Sequence, residues 1–157
     1  VNLSKQDDGG ESSMRRTNGS RDLQAKGSPD QSDRGAAIML VEPDGDLRRV
    51  IAASLRIYDW KVIQATSPSS AADKLDDARV DVLLLGVGSS PESNTKLVEA
   101  YREEEYLDGS VGMVLLMTSH RIQERWREIL RPDAVIYKPF DMRYLCQRIA
   151  QLIEARG

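Results

Sequence analysis

From Ala36 onward the chain alternates short apolar runs with amphipathic stretches. Ala36 to Val41 (AAIMLV) is unbroken apolar sequence, ended by the turn residues Glu42-Pro43-Asp44-Gly45. Asp46 is placed to cap a helix whose inward positions are Leu47, Val50, Ile51, Ser54 and Leu55. A short strand over Lys61–Ala65 follows. Ser67-Pro68 then supplies a cap and a first-turn proline for a helix to about Ala78. Val82 to Leu85 is a second buried-type strand, bounded by Gly86, Gly88 and Pro91. A helix over Thr95–Glu105 turns Leu97, Val98 and Tyr101 inward, and Val111 to Met117 is a third strongly apolar strand. His120 to Leu130 has helical spacing with Ile122, Trp126, Ile129 and Leu130 on one stripe. Ala134–Tyr137 is the last strand. Asp141 caps a final helix with Met142, Leu145, Ile149, Leu152 and Ile153 inward.

Five strands thus alternate with five helices. Strands that are apolar throughout, rather than at every second position, predict burial on both faces and a parallel sheet between helical layers. The expected fold is α/β, a (βα)5 doubly wound sheet of five parallel strands. In such a sheet the working edge is the carboxyl end of the strands. The residues to weigh there are Glu42, Pro43 and Asp44, then Gly86, then Thr118 and Ser119, then Lys138 and Pro139. Residues 1–35 differ in kind: six Ser, five Gly and only Val1, Leu3, Met14, Leu23 and Ala25 as apolar side chains. So little apolar surface cannot offset the entropy of ordering, which predicts a disordered N-terminal tail followed by one domain over 36–157.

Composition narrows the chemistry. The 22 Lys+Arg against 25 Asp+Glu leave a net charge of −3, which argues against a broad nucleic-acid footprint. The single cysteine, Cys146, excludes an internal disulfide and a cysteine-built zinc site, and the single histidine, His120, excludes a site needing two imidazoles. Trp126, Met39, Met113, Met117 and Cys146 all fit core packing rather than a cofactor box. No apolar run approaches the roughly 20 residues of a membrane span. With no signal-peptide stretch at the amino terminus, the expectation is a soluble cytoplasmic protein with no membrane or nucleic-acid partner.

At the carboxyl edge the sequence resembles the receiver domains of two-component response regulators, the CheY-like, flavodoxin-like (βα)5 family. IMLVEPDGDLRRVIAASL resembles the first strand, acidic turn and first helix, and DVLLLGVGSSPE the third strand and its loop. VGMVLLMTSH resembles the fourth strand with its terminal hydroxyl residue, and AVIYKPFDMRYL the fifth strand with its Lys-Pro-Phe turn. The resemblance covers about residues 36–155. It implies an aspartate that accepts a phosphoryl group from a histidine kinase, and a divalent ion held by that aspartate and an acidic pair. It also implies a hydroxyl and a lysine that bind the phosphoryl group and move the face of the fourth helix, fifth strand and fifth helix.

This chain keeps half of that set. Thr118 matches the hydroxyl, Lys138 (followed by Pro139) the lysine, and Glu42 the first acidic position. The second acidic position falls on Pro43, and the phospho-acceptor on Gly86, which offers neither nucleophile nor metal-ligating oxygen. Asp44 is near enough in sequence to replace what Pro43 lost, whereas Asp81 belongs to the opposite sheet edge. With two of three carboxylates gone, no metal or cofactor is expected, and Lys138 is expected to pair with Glu42. The resulting expectation is a degenerate, stand-alone receiver without enzymatic turnover, acting as an interaction module in phosphorelay signalling. Its partner would be a kinase or other signalling protein, or a second copy of the chain. The expected contact face includes Arg125, Tyr137, Arg143, Tyr144 and Arg148. Two alternatives stand beside it: a phosphorylated receiver using Ser89 as acceptor and Asp44 for metal, and a small-molecule-binding doubly wound domain.

Overall fold

The computed structural model describes residues 35–88, 91–108 and 112–156. The expected tail, apart from Gly35, and the candidate acceptor Ser89 with Ser90 lie outside the described residues. In chain order the elements are β1 (Ala37–Val41), α1 (Gly45–Arg56), β2 (Lys61–Ala65), α2 (Pro68–Leu75) and β3 (Val82–Val87), then α3 (Glu92–Asp108), β4 (Met113–Thr118), α4 (Glu124–Leu130), β5 (Ala134–Tyr137) and α5 (Met142–Arg156). All strand pairs are parallel, in the order β2-β1-β3-β4-β5. The doubly wound architecture expected from the hydrophobic pattern is therefore present.

Side-chain alternation along each strand feeds two cores. Ile38, Leu40, Val82, Leu84, Leu115, Met117 and Ile136 pack with Ile51 and Leu55 of α1 and with Leu145, Ile149 and Ile153 of α5. Met39, Val41, Leu83, Leu85, Val114 and Leu116 pack with α2, α3 and α4 through Leu75, Leu97, Tyr101, Trp126 and Leu130. Truncating one of these fully buried leucines costs about 2–5 kcal/mol, so the sheet is a rigid platform for its edges. At the amino edge, the carboxylate of Asp81 accepts from the Ala37 N–H at 2.8 Å and that of Asp133 from the Val114 N–H at 2.8 Å. Each acid, sitting just before one strand, satisfies an amide at the start of its neighbour. Asp81 is thus a structural group far from the carboxyl edge.

Several boundaries differ from the sequence expectation. Asp44, not Asp46, caps α1: its Oδ1 accepts from the Asp46 and Leu47 N–H groups at 3.0 and 3.1 Å. Its extended backbone makes that possible, since a cap must sit outside the helix while its side chain reaches back over the first turn. Val50 and Ile129 face solvent (54% and 46% exposed), because α1 docks through Ile51, Ala52 and Leu55 and α4 through Trp126 and Leu130. A narrower helix stripe than the spacing suggested suffices to cover the sheet. α2 ends at Leu75, and α4 begins only at Glu124 because Thr118 and His120 close a tight turn first. β3 runs on through Gly86 to Val87, pairing Gly86 with Met117 and Val87 with Thr118. Position 86 is therefore held by strand hydrogen bonding rather than by a loop.

Candidate functional site

The order of strands reverses between β1 and β3, and there the candidate residues converge. Glu42 continues β1, its N–H donating to the Ala65 carbonyl at 3.1 Å, and is almost wholly buried (1% exposed). A carboxylate in that position needs partners, and it has them. Lys138 Nζ donates to Oε1 at 2.9 Å and the Asp44 N–H donates to Oε2 at 3.0 Å. Arg48 Nη1 donates to the Glu42 carbonyl at 2.8 Å, bringing a second cation to the same residue. Lys138 is positioned by its own N–H, bonded to the Thr118 carbonyl at 2.8 Å, and by the cis Lys138–Pro139 peptide that follows.

Gly86 explains where that carboxylate fits. A Cβ at position 86 would overlap Glu42 Oε1, and would lie 3.1 Å from its Cδ and 3.3 Å from the Val41 carbonyl. The space a side chain at 86 would enter is filled by the Glu42 carboxylate. That space is therefore occupied by an acid already paired with Lys138. Thr118 is fully buried and turned the other way: its Oγ1 accepts from the His120 N–H at 3.0 Å and donates to the His120 carbonyl at 3.2 Å. Pro43 is exposed and offers no ligating side-chain atom. Asp44 is exposed, and its Oδ1 is committed to capping α1.

These residues do not fit a magnesium ion, which prefers several oxygen ligands with little competition. Of the matched acidic positions only Glu42 carries a carboxylate, and both of its oxygens already accept hydrogen bonds. Among the described residues no three acidic, histidine or cysteine side chains converge in a way that could hold a metal. Beside the Lys138–Glu42 pair lies an open cleft of about 330 Å³ lined by Asp44, Leu47, Ser119, Lys138, Pro139, Phe140 and Met142. Its walls are largely apolar, and Leu47, Phe140 and Met142 escaped the sequence analysis as site residues because they also serve the core. Cys146 is buried on α5, and burial pushes its thiol pKa up.

The expected contact face divides in two. Arg125 lies over the Trp126 ring at 4.7 Å, and Tyr137 is 45% exposed with its hydroxyl 3.5 Å from Arg127 Nη2. Around Tyr137 is a groove of about 620 Å³, lined also by Arg121, Ile122, Gln123, Glu124 and Arg127. Arg143, Tyr144 and Arg148 stand on α5 and do not line this groove; Arg148 is bonded instead to Gln151 at 2.7 Å. Arg121 and Arg127 were missed individually, although the basic, amphipathic run HRIQERWRE was the available signal.

No family model matches the chain, and no curated protein matches it. Solved structures do. A receiver domain protein of the CheY-like type from Methanospirillum hungatei superposes with a TM-score of 0.66 at 18% identity, covering 78% of this chain and 96% of that one. The receiver domain of a Francisella response regulator gives 0.64 at 15% identity, covering 78% of this chain and 100% of its own. The chemotaxis protein CheY4 of Vibrio cholerae gives 0.65 at 19%, covering 75% and 98%. The chain therefore has the fold of response-regulator receiver domains. Among the described residues no helix is long and apolar enough to cross a membrane.

Proposed function

We propose that this chain is a receiver-fold signalling protein of the two-component type that works in the cytoplasm by association with another signalling protein, without taking up a phosphoryl group or turning over a substrate. The observation that carries this reading is the Glu42 carboxylate, packed against Gly86 and bonded to Lys138. Phosphoryl transfer to a receiver needs a free carboxylate nucleophile, a dication and a lysine able to meet the transferred group. Here the nucleophile position has no side chain and the lysine is already engaged. Thr118, bonded to the backbone of His120, is likewise committed. The pocket is thus electrostatically complete as folded, and signalling falls to the surface.

The test is incubation with magnesium and acetyl phosphate, or with magnesium and beryllofluoride, followed by intact mass and by Trp60 and Trp126 fluorescence. Unchanged mass and spectra are expected. A stoichiometric adduct on the folded protein would overturn the reading, and mapping it to the loop after β3 would favour the Ser89 alternative. The cleft of about 330 Å³ beside Lys138 favours a second reading, a small ligand with an apolar body. A thermal-shift screen in which Phe140→Ala abolishes a stabilising hit would support it.

A further inference from the structure

We infer that the cleft beside Lys138 binds a small neutral molecule, one aromatic ring carrying a single hydroxyl or carbonyl group. The inference rests on the second reading above and names the chemistry of that ligand. Size sets the first limit. The cleft holds about 330 Å³, close to the lower bound of ligand sites, which begin at about 300 Å³. A closed apolar cavity of about 150 Å³ admits benzene, so this open cleft matches one substituted ring rather than a nucleotide or a peptide.

The walls select the ring. Leu47 comes from α1, Phe140 from the turn after β5 and Met142 from the first position of α5. All three are partly buried and packed against the core that α1 and α5 share with the sheet, so the seat is preformed. A phenyl ring and a thioether both favour an aromatic guest, the first by offset stacking and the second by sulfur–ring contact. Ser119, exposed just past β4, brings a hydroxyl that donates or accepts one hydrogen bond.

Charge argues against the other occupants. The lining holds one acid, Asp44, and one base, Lys138, so the cleft carries no net charge of its own. Lys138 already donates to Glu42 at 2.9 Å, and an incoming anion would have to compete with that carboxylate. The helix starts offer it little instead: the Asp46 and Leu47 N–H groups of α1 are taken by Asp44, and the Arg143 N–H of α5 by Asp141. An ammonium drawn to Asp44 would share the same small cleft with Lys138. A charged ligand would therefore lose hydration against the apolar walls without gaining a free partner.

The experiment is a matched series of small probes titrated into the full chain and followed by amide NMR shifts. Benzyl alcohol and acetophenone are the neutral rings, benzoate and benzylammonium the charged ones, and cyclohexylmethanol has the size without the aromaticity. The neutral rings are expected to bind with shifts around Ser119 and Phe140, and with an affinity that salt does not change. The charged rings should bind roughly tenfold more weakly or worse, and cyclohexylmethanol roughly threefold more weakly. Phe140→Ala should abolish binding. Ser119→Ala, an exposed change that leaves the apolar walls alone, should weaken it roughly fivefold with an unaltered circular dichroism spectrum. Binding of benzoate, benzylammonium or cyclohexylmethanol as tight as that of the neutral rings, or indifference to both variants, would overturn the proposal. The thermal-shift screen keeps the two readings apart. A hit of other chemistry that needs Phe140, with none of the neutral rings bound, sinks the ring and leaves a ligand in the cleft; no Phe140-dependent hit from either the series or the screen sinks both.

Discussion

The pocket between β1 and β3 and the groove between α4 and β5 stand at the same end of one sheet, yet they handle charge in opposite ways. In the pocket, Glu42 and Lys138 neutralise each other at 2.9 Å, and Asp44 and Arg48 supply further hydrogen bonds to Glu42. In the groove, Arg121 and Arg127 have no carboxylate partner among the described residues, and Tyr137 leaves nearly half its surface in water. A charge satisfied from within contributes to the native state and recognises nothing, whereas a charge left open on a rigid frame is free to recognise a partner. The first region is closed by its own groups, whereas the second leaves two guanidinium groups and an aromatic ring open to solvent.

That contrast breaks most directly at Lys138. Lys138→Met leaves the Glu42 carboxylate, 2% exposed, without its cation. Removing one partner of a buried pair costs 3–5 kcal/mol, and because the Lys138 side chain is 22% exposed the lower end applies, about 3 kcal/mol by urea denaturation. An unchanged unfolding midpoint would mean that the pair contributes no stability. Next comes Gly86→Asp. Its Cβ overlaps the Glu42 carboxylate and places a second acid beside it, so it is expected to destabilise by about 1–3 kcal/mol. It should also fail to bind beryllofluoride while Glu42 stays in place; tight beryllofluoride binding by this single variant would show the pocket to be vacant rather than filled.

Smaller effects sharpen the same comparison. Asp44→Ala removes the α1 cap and one rim of the pocket together, and about 1 kcal/mol is expected in chemical denaturation. Arg121→Glu should change stability by less than about 0.5 kcal/mol, since among the described residues it makes no ion pair and it is exposed. A Tm drop comparable to that of Lys138→Met would erase the distinction between the two regions. Cys146 adds a pH signature of the core. Its thiol is pushed up by burial, so its contribution to stability is complete below the unfolded value and falls as the solution is made alkaline through the raised folded value. Denaturation midpoints measured from neutral to alkaline pH check the sign.

Much of this was legible from the chain. The continuous apolar runs marked the buried strands, and the Lys138–Glu42 pair followed from matching those runs to a receiver frame. Other features were not. The spacing of α1 admitted Val50 as inward, but the helix rotates to seat Ile51, Ala52 and Leu55. Asp44 looked available to a metal until its place at the start of α1 committed it to two backbone amides. Arg121 and Arg127 were two cations in a basic run until Tyr137, ten residues beyond Arg127, was folded back beside them.

Taken alone, the sequence determined the alternation of strand and helix, the burial of the sheet on both faces and the lack of any side chain at position 86. These follow from periodicity and residue chemistry, which act over a few positions. Only the tertiary structure decided that Glu42 fills the space beside Gly86 and that Thr118 turns toward His120. It also placed an open basic groove around Tyr137. Glu42 and Lys138 meet across 96 positions of chain, and whether a carboxylate so placed reaches a metal, a lysine or solvent depends on which strands lie side by side. No local pattern encodes that; the packed sheet does.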